Sequence, residues 1–167
     1  MSPNSQNTEN NLVKHGAVIN DLNDNLNTRN FDNIVIRRGN NVMEDIKTII
    51  SNNKNLKSLH LICSNINDSE LDQIMKNLTG NVNLETLNFR QNQIGDNGVK
   101  ILVNIISQFP NLKTIDLSEN QIGDEGFKEI KDAVSKKVGL KINIDGQKPG
   151  QNPTNPSGQK YPKSHER

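Results

Sequence analysis

The chain has 167 residues, a net charge of +1 at pH 7 and 31% hydrophobic residues. That length holds one domain with a real core, and the near-neutral charge removes the broad field that would draw the chain to nucleic acid or an acidic membrane. A single cysteine, Cys63, excludes an internal disulfide framework and suits a reducing compartment.

Residues 1–14 are polar and unpatterned; they read as a disordered lead with no apolar signal core. Val18, Ile19, Leu22 and Leu26 then fall at helical spacing, which predicts an N-terminal capping helix over 15–30. The other reading of that segment is a mobile amphipathic stretch that binds a partner.

From Phe31 the chain repeats itself. Leading apolar residues stand at Phe31, Leu56, Leu84, Leu112 and Leu140, and QNQIGDNGVK (91–100) returns as ENQIGDEGFK (119–128). A fixed period of this size is the mark of stacked structural repeats. Each unit opens with a strand signal: Phe31, Ile34, Ile36; Leu56, Leu59, Leu61; Leu84, Leu87, Phe89; Leu112, Ile115, Leu117. It continues with a helical stripe: Ile46 and Ile49; Leu71, Ile74, Leu78; Val99, Leu102, Ile106; Phe127, Ile130, Val134. Between the halves, Ile66, Ile94 and Ile122 point inward, Gly95 and Gly123 permit a tight turn, and Asp96 and Asp124 are placed to cap their own helices, with Asp68 or Ser69 doing so one unit earlier. Pro110 and Gly139 end helices. The Leu140 unit supplies only a final strand, with Ile142 and Ile144 inward and Lys141, Asn143 and Asp145 outward. Residues 146–167, rich in Gly, Pro, Asn and Lys, read as a disordered tail of net charge +3.

The pattern LETLNFRQNQIGDNGVKIL followed by LKTIDLSENQIGDEGFKEI resembles leucine-rich repeats of the ribonuclease-inhibitor-like subtype. The resemblance covers 31–145, about four repeats plus the last strand. It implies an α/β solenoid, with parallel strands on a concave face and helices on a convex one. It also implies that Asn92 and Asn120 turn inward to hydrogen-bond backbone groups of adjacent turns, a ladder that weakens at Ser64 and Gly39.

In such a solenoid the residues between the inward ones form a wall. Its rows are Val35, His60, Asn88, Asp116; Arg37, Ile62, Arg90, Ser118; and Arg38, Cys63, Gln91, Glu119. Charge grades from Arg37 and Arg38 to Asp116 and Glu119, with Ile62 as an apolar anchor, a surface suited to a protein partner. The candidate contact set is Arg37, Arg38, His60, Ile62, Asn88, Arg90, Gln91, Asp116, Ser118 and Glu119. No catalytic residue, cofactor or metal site is expected. His60 and Cys63 lack a third orienting group, His15, His60 and His165 are scattered, and no phosphate-binding glycine motif occurs. The sequence therefore points to a non-catalytic adaptor or inhibitor, cytoplasmic and monomeric, with pairing through the last strand edge as an alternative. The runner-up is a regulator of a partner enzyme such as a small GTPase, as in the Ran GTPase-activating proteins that share this repeat; a third reading is an effector exported to a host cell.

Overall fold

The computed structural model describes residues 12–13, 16–19, 33–37 and 43–148. Seven strands lie in one sheet in sequence order: β1 Leu12–Val13, β2 Gly16–Ile19, β3 Asn33–Arg37, β4 Ser58–Ile62, β5 Thr86–Asn88, β6 Thr114–Asp116 and β7 Lys141–Asn143. Strands β2 to β7 are parallel, and β1 pairs antiparallel with β2. Helices α1 Met43–Asn52, α2 Asp68–Leu78, α3 Asp96–Ile105 and α4 Asp124–Lys136 follow β3, β4, β5 and β6 in turn. This is the α/β repeat solenoid that the two periods in the sequence dictate. Each strand–helix unit carries two apolar strips and can bury them only against its own other half and its neighbours.

The core is one aliphatic cluster between sheet and helices. It includes the strand leucines and isoleucines, Ile66, Ile94 and Ile122, and the stripes on α1 to α3, with Phe89 and Phe109 as fully buried aromatics. The α4 stripe departs from this: Ile130 is buried, but Phe127 is only partly so and Val134 is exposed. The helix has no following unit to cover it among the described residues.

Two seams lock the units together. On the strand-exit side, the Asn92 amide Nδ2 donates to the Leu61 and Phe89 carbonyls at 2.8 Å, and its Oδ1 accepts the Ser64 and Ile66 N–H groups at 3.0 Å. Asn120 repeats this one unit on, donating to Phe89 and Leu117 at 2.9 Å and accepting from Ile94 at 3.0 Å. The residue before each rung is left-handed: Cys63 at φ 54°, Gln91 at 60° and Glu119 at 55°. Such a backbone costs a non-glycine residue about 1–2 kcal/mol, so the ladder must over-determine it. On the opposite rim, Asn81 accepts the Leu56 N–H and donates to the Leu78 carbonyl, both at 3.1 Å. Lys137, 56 residues on, donates to the Ile106 and Phe109 carbonyls, and burial pushes its pKa down.

The ladder continues past where the sequence pattern was expected to stop. β6 and β7 pair Ile115 with Ile142, a step of 27, whereas β5 and β6 pair Leu87 with Ile115, a step of 28. One residue is missing from the last unit. Counting 27 from Glu119 and Asn120 gives Gly146 and Gln147. Gly146 is left-handed at φ 67°, and Gln147 is buried. Its amide donates to Leu117 and Ile144 and accepts the Ile122 N–H at 2.9 Å. The extra methylene of Gln lets it fill an Asn position. Residues 146–148 therefore belong to the solenoid rather than to the tail expected from 146 onward.

The glycines and aspartates of IGDNG and IGDEG also act differently from the expectation. Gly95 and Gly123 have φ of −108° and −99°, so no left-handed turn requires them. Neither α3 nor α4 has a side-chain N-cap. Instead each aspartate reaches into the next unit. Asp68 Oδ1 accepts the Gly95 N–H at 2.7 Å and Asp96 Oδ1 accepts the Gly123 N–H at 2.5 Å. A Cβ on Gly98 would lie 2.4 Å from Asp68 Oδ1, and one on Gly126 2.7 Å from Asp96 Oδ1. The second glycine of each motif is thus the hole into which the preceding unit's carboxylate fits. Only α2 has a local cap, and it is Asn67 rather than Asp68 or Ser69: Asn67 accepts from Ser69 and Glu70 while Glu70 accepts the Asn67 N–H.

At the N-terminal side, Leu12–Val13 and Gly16–Ile19 are strands where a disordered lead and the start of a capping helix are expected. The run Gly16-Ala17-Val18-Ile19 pairs with the open edge of β3, and backbone pairing along an edge outweighs a helical spacing carried by few residues. Leu22 and Leu26 lie outside the described residues, as does Gly39.

Candidate functional site: the concave strand wall

Strand alternation builds the wall. In β4, Leu59 and Leu61 are buried while Ser58, His60 and Ile62 stand on the other face. Register then aligns His60 with Asn88, Asp116 and Asn143. It also aligns Ser58 with Thr86 and Thr114, a hydroxyl row that the sequence reading left out. The signal for that row was present, because these residues precede each inward leucine or isoleucine by one position. Asn143 and Asp145 carry the wall on to β7 and were likewise omitted from the contact set.

The ten expected contact residues divide. Arg37 ends β3 opposite Ile62 in register, and Arg38 lies outside the described residues. His60, Ile62, Asn88 and Asp116 are half-buried on the wall, and Arg90 and Gln91 are exposed on its upper rim. Asn88 Oδ1 accepts the Arg90 N–H at 2.9 Å, and Asn143 Oδ1 accepts that of Asp145 at 3.1 Å. Asp116 Oδ1 accepts both the Ser118 N–H at 2.9 Å and its hydroxyl at 2.6 Å. These residues end their strands in side-chain-closed turns, and that closure leaves Ser118 only 6% exposed. Ser118 thus shapes the wall more than it meets anything across it. The Arg90 guanidinium donates from Nε to Glu119 Oε1 at 2.9 Å and also through Nη2. The rim's charge gradient is therefore bridged between neighbouring units, and the wall carries its negative character on Asp116 and Asp145.

Cys63 follows the end of β4 in the left-handed conformation and is partly buried. Among the described residues no three His, Cys, Asp or Glu side chains gather to hold a metal ion, and no helix is long and apolar enough to cross a membrane.

A leucine-rich repeat model matches residues 80–103 and 110–131, the windows that hold Asn92 and Asn120. No curated protein matches the sequence. Among solved structures, the fold is similar to a Bacteroides fragilis protein (19% identity, TM-score 0.56, 71% of this chain and 34% of that one). It is also similar to actin-binding site 2 of leiomodin-1 (18% identity, TM-score 0.53, 65% of this chain and 68% of that one). The chain spans about a third of the length of the Bacteroides fragilis protein. At these identities the likeness is one of fold.

Proposed function

We propose that this leucine-rich repeat chain is a non-catalytic protein-recognition module, an adaptor or inhibitor, whose concave wall holds a protein partner. Its 28-residue units with full helices support assignment to the ribonuclease-inhibitor-like subtype. The observation that carries the reading is the wall. Its backbone is locked from beneath by Asn92, Asn120 and Gln147. Its face mixes hydroxyls, amides, a carboxylate and the aliphatic Ile62 in aligned rows. A preorganised surface loses little entropy on binding, and an apolar anchor within a polar rim is the pattern of interface hot spots. The lone thiol supports a reducing, cytoplasmic setting.

The GTPase-regulator reading gains nothing from Arg90, because Glu119 already holds that guanidinium. Leiomodin-1 makes actin one reasonable ligand to include in a test, on fold likeness alone. The test is affinity capture from cell lysate, with actin co-sedimentation alongside, using the intact chain, Ile62→Asp on the wall and Lys128→Glu on the outer helix face. A protein captured by the intact chain and Lys128→Glu but lost with Ile62→Asp supports the wall. A protein lost with Lys128→Glu and kept with Ile62→Asp overturns it.

A further inference from the structure

Among the described residues, the sheet has one uncovered edge, β7, and it is self-complementary. We infer that two copies of this chain associate through β7, antiparallel, about a two-fold axis passing between their Asn143 residues. The backbone sets the register. Lys141 donates to Lys113, and the carbonyls of Asn143 and Asp145 accept from Leu117 and Glu119, all toward β6. In a ladder of this kind the intervening residues Ile142 and Ile144 present their N–H and C=O groups to the open edge. Antiparallel strands exchange bonds between such outward residues, so Ile142 of one copy pairs with Ile144 of the other, twice over, giving four bonds.

That register fixes the side chains. The segment KINID reads the same in charge pattern when reversed against itself: Lys141 meets Asp145 of the second copy on the concave face, at both ends of the pairing, and Asn143 meets Asn143. Moving the axis by one residue to Ile142 or Ile144, the neighbouring registers that keep outward groups facing, loses both ion pairs. On the convex face, Ile142 and Ile144 border a groove of about 760 Å³ completed from α4 by Phe127, Ile130 and Val134. In the preceding unit the matching residues Val99, Leu102 and Ile106 are buried. A two-fold axis perpendicular to the sheet puts the second α4 on the same side, running antiparallel, where it closes both grooves. The contrast with the other end is direct, since β3 is covered there by β2 and the two-residue β1. The two concave walls would run on into one another, doubling the recognition surface independently of what it binds.

The test is size-exclusion chromatography with light scattering on the full chain and on Lys141→Asp, Asp145→Lys and the double exchange. Lys141 and Asp145 are exposed, so circular dichroism should be unchanged in all four. The wild type and the double exchange should run at twice 18.7 kDa. Each single reversal faces like charges at two places and should weaken the dimer by about tenfold or more. A wild type that stays monomeric overturns the inference, including the case in which removing 149–167 releases a dimer and so shows the tail to be the occupant. Single reversals that dimerise as tightly as the wild type overturn it too.

Discussion

Replacing Asn92 tests how much of the fold rests on one amide. In Asn92→Ala the Ser64 and Ile66 N–H groups lose the oxygen that accepts them at 3.0 Å, and the Leu61 carbonyl loses a donor at 2.8 Å. The Phe89 carbonyl keeps a donor in Asn120. Two orphaned buried N–H groups at about 1–3 kcal/mol each give a cost of about 2–6 kcal/mol. The exposed loop residue Asn83 supplies the control, and Asn83→Ala should stay within about 0.5 kcal/mol of wild type. The two halves of the amide separate in Asn92→Asp. Its carboxylate still accepts from Ser64 and Ile66 but sets a second oxygen against the Leu61 and Phe89 carbonyls, so the protonated form is favoured in the folded state. The folded pKa of that aspartate then lies above its unfolded value of about 3.9. The stability it gains is full below that value and is lost as pH rises through the folded pKa. Urea unfolding from pH 4 to 8 reads both effects. If Asn92→Ala costs no more than Asn83→Ala, or if acid fails to narrow the gap between Asn92→Asp and wild type, the amide is not a structural rung.

Further expectations follow from the same seams. Gln147→Ala should cost about 1–3 kcal/mol by urea unfolding; a chain ending at Lys148 should match the full chain, and one ending at Gly146 should match Gln147→Ala. Gly98→Ala should destabilise by about 1–3 kcal/mol through overpacking against Asp68, and adding Asp68→Ala should recover part of it in a double-mutant cycle. The Lys113 ammonium, hydrogen-bonded to Glu85 at 2.8 Å, and secondarily Lys57 hold the Glu85 carboxyl below its ordinary value. Stabilisation by that pair is present above the ordinary carboxylate pKa and lost as pH falls through the depressed one; Lys113→Ala should move the Glu85 titration upward in carbonyl-detected NMR.

Much of this was legible in the residues, and the failures share a cause. Asn92, Asn120 and the buried Ile66, Ile94 and Ile122 could be read because each recurs at a constant interval, and periodicity reports burial without a partner's being known. Gln147 was missed because a one-residue deletion breaks the 28-residue count where the composition turns to Gly and Pro; only the β6–β7 register exposes the phase. Asp68 and Asp96 were misread because capping is a local rule, while their acceptor role spans two units. The recurrence of Gly98 and Gly126 was the available clue. The segment around Val18 and Ile19 carries a helical spacing too short to outweigh pairing with β3. Wall residues such as Ser118 were placed correctly by strand parity, but parity says nothing of the turn that buries them.

Hydrogen exchange of individual backbone amides tests the seam-locked solenoid most directly. The N–H groups of Ser64, Ile66, Ile94, Gly95, Ile122 and Gly123 bond to side chains of the following or preceding unit rather than to a helix or strand partner. They should exchange as slowly as core strand amides such as Leu87 and Ile115, through global opening of the stack. Exchange as fast as that of the exposed turn amides Gly80 and Asn83 would contradict the account.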